Sequence, residues 1–334
     1  MIDPSITDAW GAADTLRDRE GDSMKVAVLG AGAVGGYVGA CLAKGGADVT
    51  LIARGAHFEA MREHGLTLVT PDGERSNVAV HATDDSTSIG PVDVVLFLVK
   101  SYDTEAAAER LRPLIGEGTG VISLQNGIDN EAKIAAVVGE EHVLGGSAYI
   151  LAAIESPGVV RSGRARIVVG ELKGGPPTPR VEQFVEVARA GGINAQAGPD
   201  VTTTKWEKYV LLVAFSAVTA ATQLTIGDIR TSEAASAMLR AVMTEAWTVG
   251  RAKGVPLADD LVDRQYNLVM AQKDDEAASL RHDLLTGHRM ELEALQGTLR
   301  RLGRETGVPT PWTDAAYAIL QPWAIRNERG ATST

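Results

Sequence analysis

Lys25–Gly36 reads KVAVLGAGAVGG, a short apolar run that stops at a glycine cluster and passes into small residues as far as about Lys44. Gly30, Gly32 and Gly35 form G-x-G-x-x-G where a strand would give way to a helix. The first glycine permits a tight turn, the second lets backbone approach a pyrophosphate, and the third lets the helix pack on the strand. Ala31, Ala33 and Val34 fill the intervening positions, so their amides are expected to face the phosphates at the helix N-terminus. A bare tight turn is the plainer alternative. The strand-turn-helix context favours a dinucleotide site.

Working outward, DVTLIA (48–53), VDVVLFLV (92–99) and GVISLQ (120–125) are apolar runs without polar alternation, as strands covered on both faces read. They predict a parallel α/β sheet of Rossmann type. HVLGGSAYI (142–150) extends it, and GVVRSG (158–163) with ARIVVGE (165–171) is expected as a hairpin. A helix over 178–190 and a strand over 194–197 would close the domain. After Gly198 and Pro199 the patterns become long and helical, near 201–223, 232–253, 258–270 and 289–306, with a shorter helix after Pro311. The expected organisation is a flexible extension over 1–23, a Rossmann domain over 24–198 and an all-helical substrate and dimerisation domain over 199–330. Met24 immediately precedes the first strand and is a plausible alternative start.

With 334 residues, 45% hydrophobic and 22% charged, the chain is long enough for two domains with cores of their own. A net charge of −11 disfavours nucleic acid as a partner. The single cysteine, Cys41, excludes an intramolecular disulfide and fits a reducing cytoplasm. No secretory signal is legible in 1–23. The uncharged run from Tyr209 to Gly227 is broken by Ser216, Thr219, Thr222, Gln223 and Thr225, and reads as a buried core helix rather than a membrane span. No His/Cys cluster has metal-ligand spacing, so no metal is expected.

Selectivity for NAD usually needs an acidic residue at the exit of the second strand. Here Asp48 lies at the entrance of that strand, while Ala53 and Arg54 stand at its exit. A guanidinium there suits a 2′-phosphate, which predicts NADP(H). A solvated surface arginine is the plainer alternative.

Beyond the glycine motif, the order and spacing of FLVKSYDT (97–104), ISLQNGIDN (122–130), WEK (206–208), SLRHDLLTGHRMELEALQG (279–297) and LGRETGVPTP (302–311) carry a resemblance. Over residues 25–312 the chain resembles the ketopantoate reductases, or 2-dehydropantoate 2-reductases. The resemblance implies a helical C-terminal domain like that of 6-phosphogluconate dehydrogenase. It further implies NADPH-dependent reduction of a 2-oxo acid in pantothenate biosynthesis, with Lys208 as proton donor. An ammonium beside a carbonyl that receives hydride can stabilise the developing charge and deliver the proton. The resemblance also places Lys100, Asn126 and Glu291 near the nicotinamide, and Ser279 at the substrate carboxylate. Plainer readings are a surface lysine at 100 and an Asn-Gly turn at 126–127. Glu293, two residues from Glu291 on an expected helix, should point to solvent.

The chain departs from the family at the substrate. Leu212 and Ser216, one and two turns beyond Lys208, stand where the family commonly has asparagines, as does Ile226. Lys208, Leu212 and Ser216 are expected to line one wall, and lost amides leave that wall more apolar. Ketopantoate is the first candidate substrate. The alternatives are a more apolar 2-oxo acid, as in the D-2-hydroxyacid dehydrogenases of the same family, and a non-catalytic NADP(H)-binding protein. The long apolar C-terminal helices suggest a homodimer.

Overall fold

In a computed structural model that describes residues 23–331, the N-terminal half alternates strands and helices. In chain order these are β1 (Lys25–Leu29), α1 (Ala33–Lys44), β2 (Asp48–Ile52), α2 (Gly55–His64), β3 (Leu66–Val69), β4 (Arg75–Val78), β5 (His81–Thr83) and β6 (Val94–Phe97). There follow α3 (Thr104–Ala108), β7 (Gly120–Ser123), α4 (Asn130–Val138), β8 (Val143–Ser156), β9 (Val159–Glu171), α5 (Pro179–Ala190) and β10 (Asn194–Ala197). The expected extension over 1–23 lies, except for Ser23, outside the described residues.

The strands form one sheet in the order β4-β3-β9-β8-β7-β6-β1-β2-β5, with β10 against β9. From β8 through to β5 every neighbouring pair is parallel. The unalternating runs are explained by burial on both faces: Val26 and Val28 enter one core, and Ala27 and Leu29 the other. The hairpin differs from expectation. GVVRSG and ARIVVGE belong to one strand, β9, whose antiparallel partner is β8. The turn falls at Pro157-Gly158, with Gly158 at φ +74°.

The C-terminal half is helical: α6 (Val201–Thr222), α7 (Ile226–Thr231), α8 (Glu233–Ala252), α9 (Leu261–Met270), α10 (Ser279–Thr286), α11 (Thr298–Thr306) and α12 (Pro311–Ala331). Asp200 caps α6 by accepting the Thr203 N–H at 2.9 Å. The helix ends at Gln223, the one non-glycine described residue with positive φ. Tyr209 OH donates to the Leu295 carbonyl at 2.7 Å and pins α6 to a π-helical turn over Glu293–Gly297. The helix expected over 289–306 therefore starts later, and Glu291 precedes it in non-helical chain. The helix after Pro311 is long, running 21 residues. Among the described residues no helix is long and apolar enough to cross a membrane.

Candidate active site

The carboxyl ends of four adjacent parallel strands carry the candidate residues in spatial order. Arg54 follows β2, Gly30 follows β1, Lys100 follows β6 and Asn126 follows β7, while Ala148 lies within the neighbouring β8, past its parallel pairing with β7. From β2 to β7 there are three interstrand steps of about 4.8 Å, roughly 14 Å in all. That is a dinucleotide's reach, laid along the edge where open α/β sheets bind ligands.

At β1, Gly30 has φ +98°, and a Cβ there would stand 2.5 Å from the Val99 nitrogen. A Cβ on Gly35 would meet the Gly30 carbonyl oxygen at 2.3 Å. Gly32 is different: nothing lies within 4 Å of its hypothetical Cβ. The turn is closed on two sides and open on the third, over the start of α1, whose first turn has no capping side chain. An anionic pyrophosphate fits that opening. At the neighbouring strand end Arg54 is exposed at the N-cap of α2. Arg110, which donates to the Asp84 carbonyl at 2.6 Å just beyond β5, has its guanidinium pKa lowered by burial and, less, by the nearby Arg54 charge. Sequence reading missed Arg110, because its place beside Arg54 depends on the β2–β5 pairing.

Glu291 is 7% exposed and accepts the Ser101 N–H at 2.8 Å. Lys100 Nζ lies 3.7 Å from Glu291 and 3.6 Å from Asp283. Burial pulls the Lys100 ammonium pKa down, but the two carboxylates more than offset it, so it ends above the ordinary lysine range. Burial raises the Asp283 carboxyl despite Lys100. Ser279 is exposed at the first position of α10, one helical turn before Asp283. Glu293 is exposed, and its carboxylate accepts from Tyr317 OH.

Lys208 projects from α6 back onto the sheet. Its Nζ donates to the Ala148 carbonyl at 2.6 Å and to Asn126 Oδ1 at 3.2 Å, and lies 5.5 Å from the centre of the Tyr149 ring. Burial lowers its pKa to about 8, helped by the Lys205 charge and opposed by Glu291. The Asn126–Gly127 turn is real as well: Gly127 has φ +101°, and Asn130 Nδ2 donates to the Asn126 carbonyl at 2.8 Å. Around Lys208 is a cavity of about 10 Å³, lined among others by Gln125, Lys205, Tyr209 and Leu212. Such a volume holds a single water.

Ser216 does not join this wall, contrary to expectation. It is 1% exposed, its hydroxyl donates to the Val213 carbonyl at 3.2 Å, and it accepts from Gln296 at 2.8 Å. The π-helical turn covers that stretch of α6, so the face shared with Lys208 stops at Leu212. Ile226 is likewise fully buried, within the core of the helical half. Lys205, Glu131 and Asp283 were not singled out from sequence. Among the described residues no group of His, Cys, Asp and Glu could hold a metal ion.

Residues 26–174 match the family model described as ketopantoate reductase PanE/ApbA, and residues 200–324 match the model of its C-terminal part. A 2-dehydropantoate 2-reductase from Mesorhizobium japonicum is 31% identical over 93% of this chain and 100% of its own length. One from Halobacterium salinarum is 32% identical over 86% of this chain and 95% of its own. The crystal structure of a PanE/ApbA family ketopantoate reductase from Ralstonia eutropha superposes with a TM-score of 0.84 at 33% identity, covering 91% of this chain and 100% of that one.

Proposed function

The chain belongs to the ketopantoate reductase family, and from that premise we propose that it reduces a 2-oxo acid to the 2-hydroxy acid with NADPH. It is an oxidoreductase acting on CH–OH groups. The observation that carries the reading is the Lys208 ammonium, held by Asn126 just after β7 and by the Ala148 carbonyl within β8, on the strands that follow on from the glycine turn.

NADPH, when bound, supplies the hydride that reduces C2. The chain's own residues do the rest. The open face at Gly32 and the start of α1 take the pyrophosphate, and Arg54 takes the 2′-phosphate. Lys208 keeps a proton at Nζ and delivers it to the oxygen that was the carbonyl oxygen, while its charge stabilises the oxyanion. Asn126 fixes the direction of the ammonium. Ser279, at the start of α10, faces the substrate carboxylate, and Glu291 holds Lys100 in place beside the cofactor.

Ketopantoate is the first candidate substrate. Leu212 favours a second reading, a 2-oxo acid with a more apolar side group, because it lines the Lys208 cavity where an amide would grip a hydroxyl. Steady-state assays with NADPH across ketopantoate, branched 2-oxo acids and phenylglyoxylate decide between them. The highest kcat/KM identifies the class, and no turnover of any 2-oxo acid overturns the reading. The same assays run with NADH test the cofactor preference.

A further inference from the structure

Lys205 and Glu131 form an ion pair that the reaction above does not use. Lys205 is 8% exposed on α6 and Glu131 is 5% exposed on α4, so the pair ties the helical half to the sheet half from inside. Lys205 also lines the small cavity that holds Lys208. A second cavity, of about 680 Å³, is lined by both Lys205 and Glu131 together with Trp206 and Ile128. Lys205 is the one residue common to the two linings.

A buried ion pair is weak evidence for stability, since desolvation of its members can exceed their attraction. Its position next to a second lysine suggests a different use. We propose that the Lys205–Glu131 pair is a positioning element of the active site: it holds a lysine charge on the wall of the Lys208 cavity and so sets the pH window in which Lys208 can act as proton donor. The inference rests on the reading of Lys208 as that donor.

The groups facing Lys208 come from several elements. Lys205 and Glu207 lie on its own helix, and Glu131 on α4 reaches it only through Lys205. Tyr149 on β8 offers its ring face, and Asn126 after β7 a neutral oxygen. Glu291 opposes Lys205, and Lys100 and Asp283 adjoin Glu291. Lys205, on the wall of the same cavity, is therefore the cation of this set that works against the Lys208 charge, adding to the larger effect of burial. Glu131 neutralises the far side of Lys205 and keeps it in place.

Opposite shifts follow from the two single substitutions. Lys205→Met removes the repulsion, so the basic limb of kcat/KM for the 2-oxo acid moves to higher pH, by about half a unit or more. Glu131→Gln leaves Lys205 uncompensated, so the limb moves lower by a similar amount. Either single variant can be unstable, so the double variant Lys205→Met, Glu131→Leu is measured too, and it shares the upward shift. Thermal unfolding and the NADPH Kd establish that each protein compared is folded. A wild-type limb that stays in place in every folded variant overturns the role of the pair alone. A wild-type profile without a basic limb, or no turnover of any 2-oxo acid, overturns Lys208 as donor and the pair's role with it.

Discussion

Glu291 Oε1 accepts the backbone N–H of Ser101 at 2.8 Å, joining residues 190 positions apart and bringing the C-terminal half onto the end of β6. Its other oxygen faces Lys100 at 3.7 Å, and its charge opposes the lowering of both lysine pKa values by burial, helping to overcome it at Lys100 but not at Lys208. In Glu291→Gln the amide oxygen can still accept from Ser101, while the charge is lost. The basic limb of kcat/KM should move to lower pH with little change in unfolding midpoint. In Glu291→Ala the buried Ser101 N–H has no acceptor, which costs about 1–3 kcal/mol by chemical denaturation. Equal midpoints for the two variants would show that the hydrogen bond contributes nothing.

If Lys208 acts as proposed, Lys208→Ala removes the proton donor and the oxyanion's cation together. Turnover is expected to fall by about 10²- to 10⁴-fold, with the NADPH Kd largely kept. The wild-type pH profile has a definite sign. Lys208 is protonated below about 8, so reduction is full on the acid side and declines as pH rises through that value. Oxidation of the 2-hydroxy acid needs the neutral amine and should increase over the same interval. Stopped-flow measurement in both directions checks the opposition, and two limbs of the same sign would exclude Lys208 as the shared acid and base.

Arg54 is exposed where β2 passes into α2, with Arg110 nearby. Charge-assisted hydrogen bonds are worth about 1.5–3 kcal/mol, so Arg54→Ala should weaken NADPH by roughly 10- to 150-fold. NADH binding should hardly change. Fluorescence titration of both cofactors provides the check: parallel losses would mean that Arg54 does not contact the 2′-phosphate.

These sites were unequally legible in sequence. The glycine turn, Arg54 and the double-sided strands declare themselves locally, because burial on both faces leaves unbroken apolar runs such as Val94–Phe97. β4 and β5 do not: Arg75–Val78 and His81–Thr83 are short, polar and near the sheet margins. Lys208 and Asn126 were found through a family resemblance, since nothing in either local sequence says that 82 positions of chain fold to bring them within 3.2 Å. Ser216 was misplaced because helical spacing gives the face but not what covers it, and Gln296 covers it. Lys205 and Asp283 could not be told from solvated helix charges until their burial was known.

Leu212 follows Lys208 by one helical turn and lines the same cavity. Leu212→Asn places an amide where a substrate hydroxyl could be met. The ratio of kcat/KM for ketopantoate to that for an unhydroxylated branched 2-oxo acid is expected to rise by roughly tenfold or more, the discrimination typical of sites that hydrogen-bond a hydroxyl being larger still. An unchanged ratio would move the specificity determinant elsewhere in the cleft.

Gly32 and Gly35 belong to one motif, yet alanine should act on them through different states. A Cβ on Gly35 would stand 2.3 Å from the Gly30 carbonyl oxygen, and backbone on either side cannot yield as a side chain can. Helix propensity returns at most about 1 kcal/mol, so Gly35→Ala is expected to destabilise the apo protein, by about 1–3 kcal/mol. Gly32 has open space where its Cβ would go, but its φ −84° and ψ −146° lie outside the regions that residues with a Cβ favour. Gly32→Ala should therefore cost the apo protein only a backbone term of about 1 kcal/mol, with no steric clash added to it. Its methyl group would meet only a pyrophosphate, and crowding of about 1–3 kcal/mol corresponds to a 5- to 150-fold weaker NADPH Kd. Parallel denaturation and titration of the two variants separate the effects, and a Gly32→Ala protein that binds NADPH as tightly as wild type would place the pyrophosphate somewhere other than this opening.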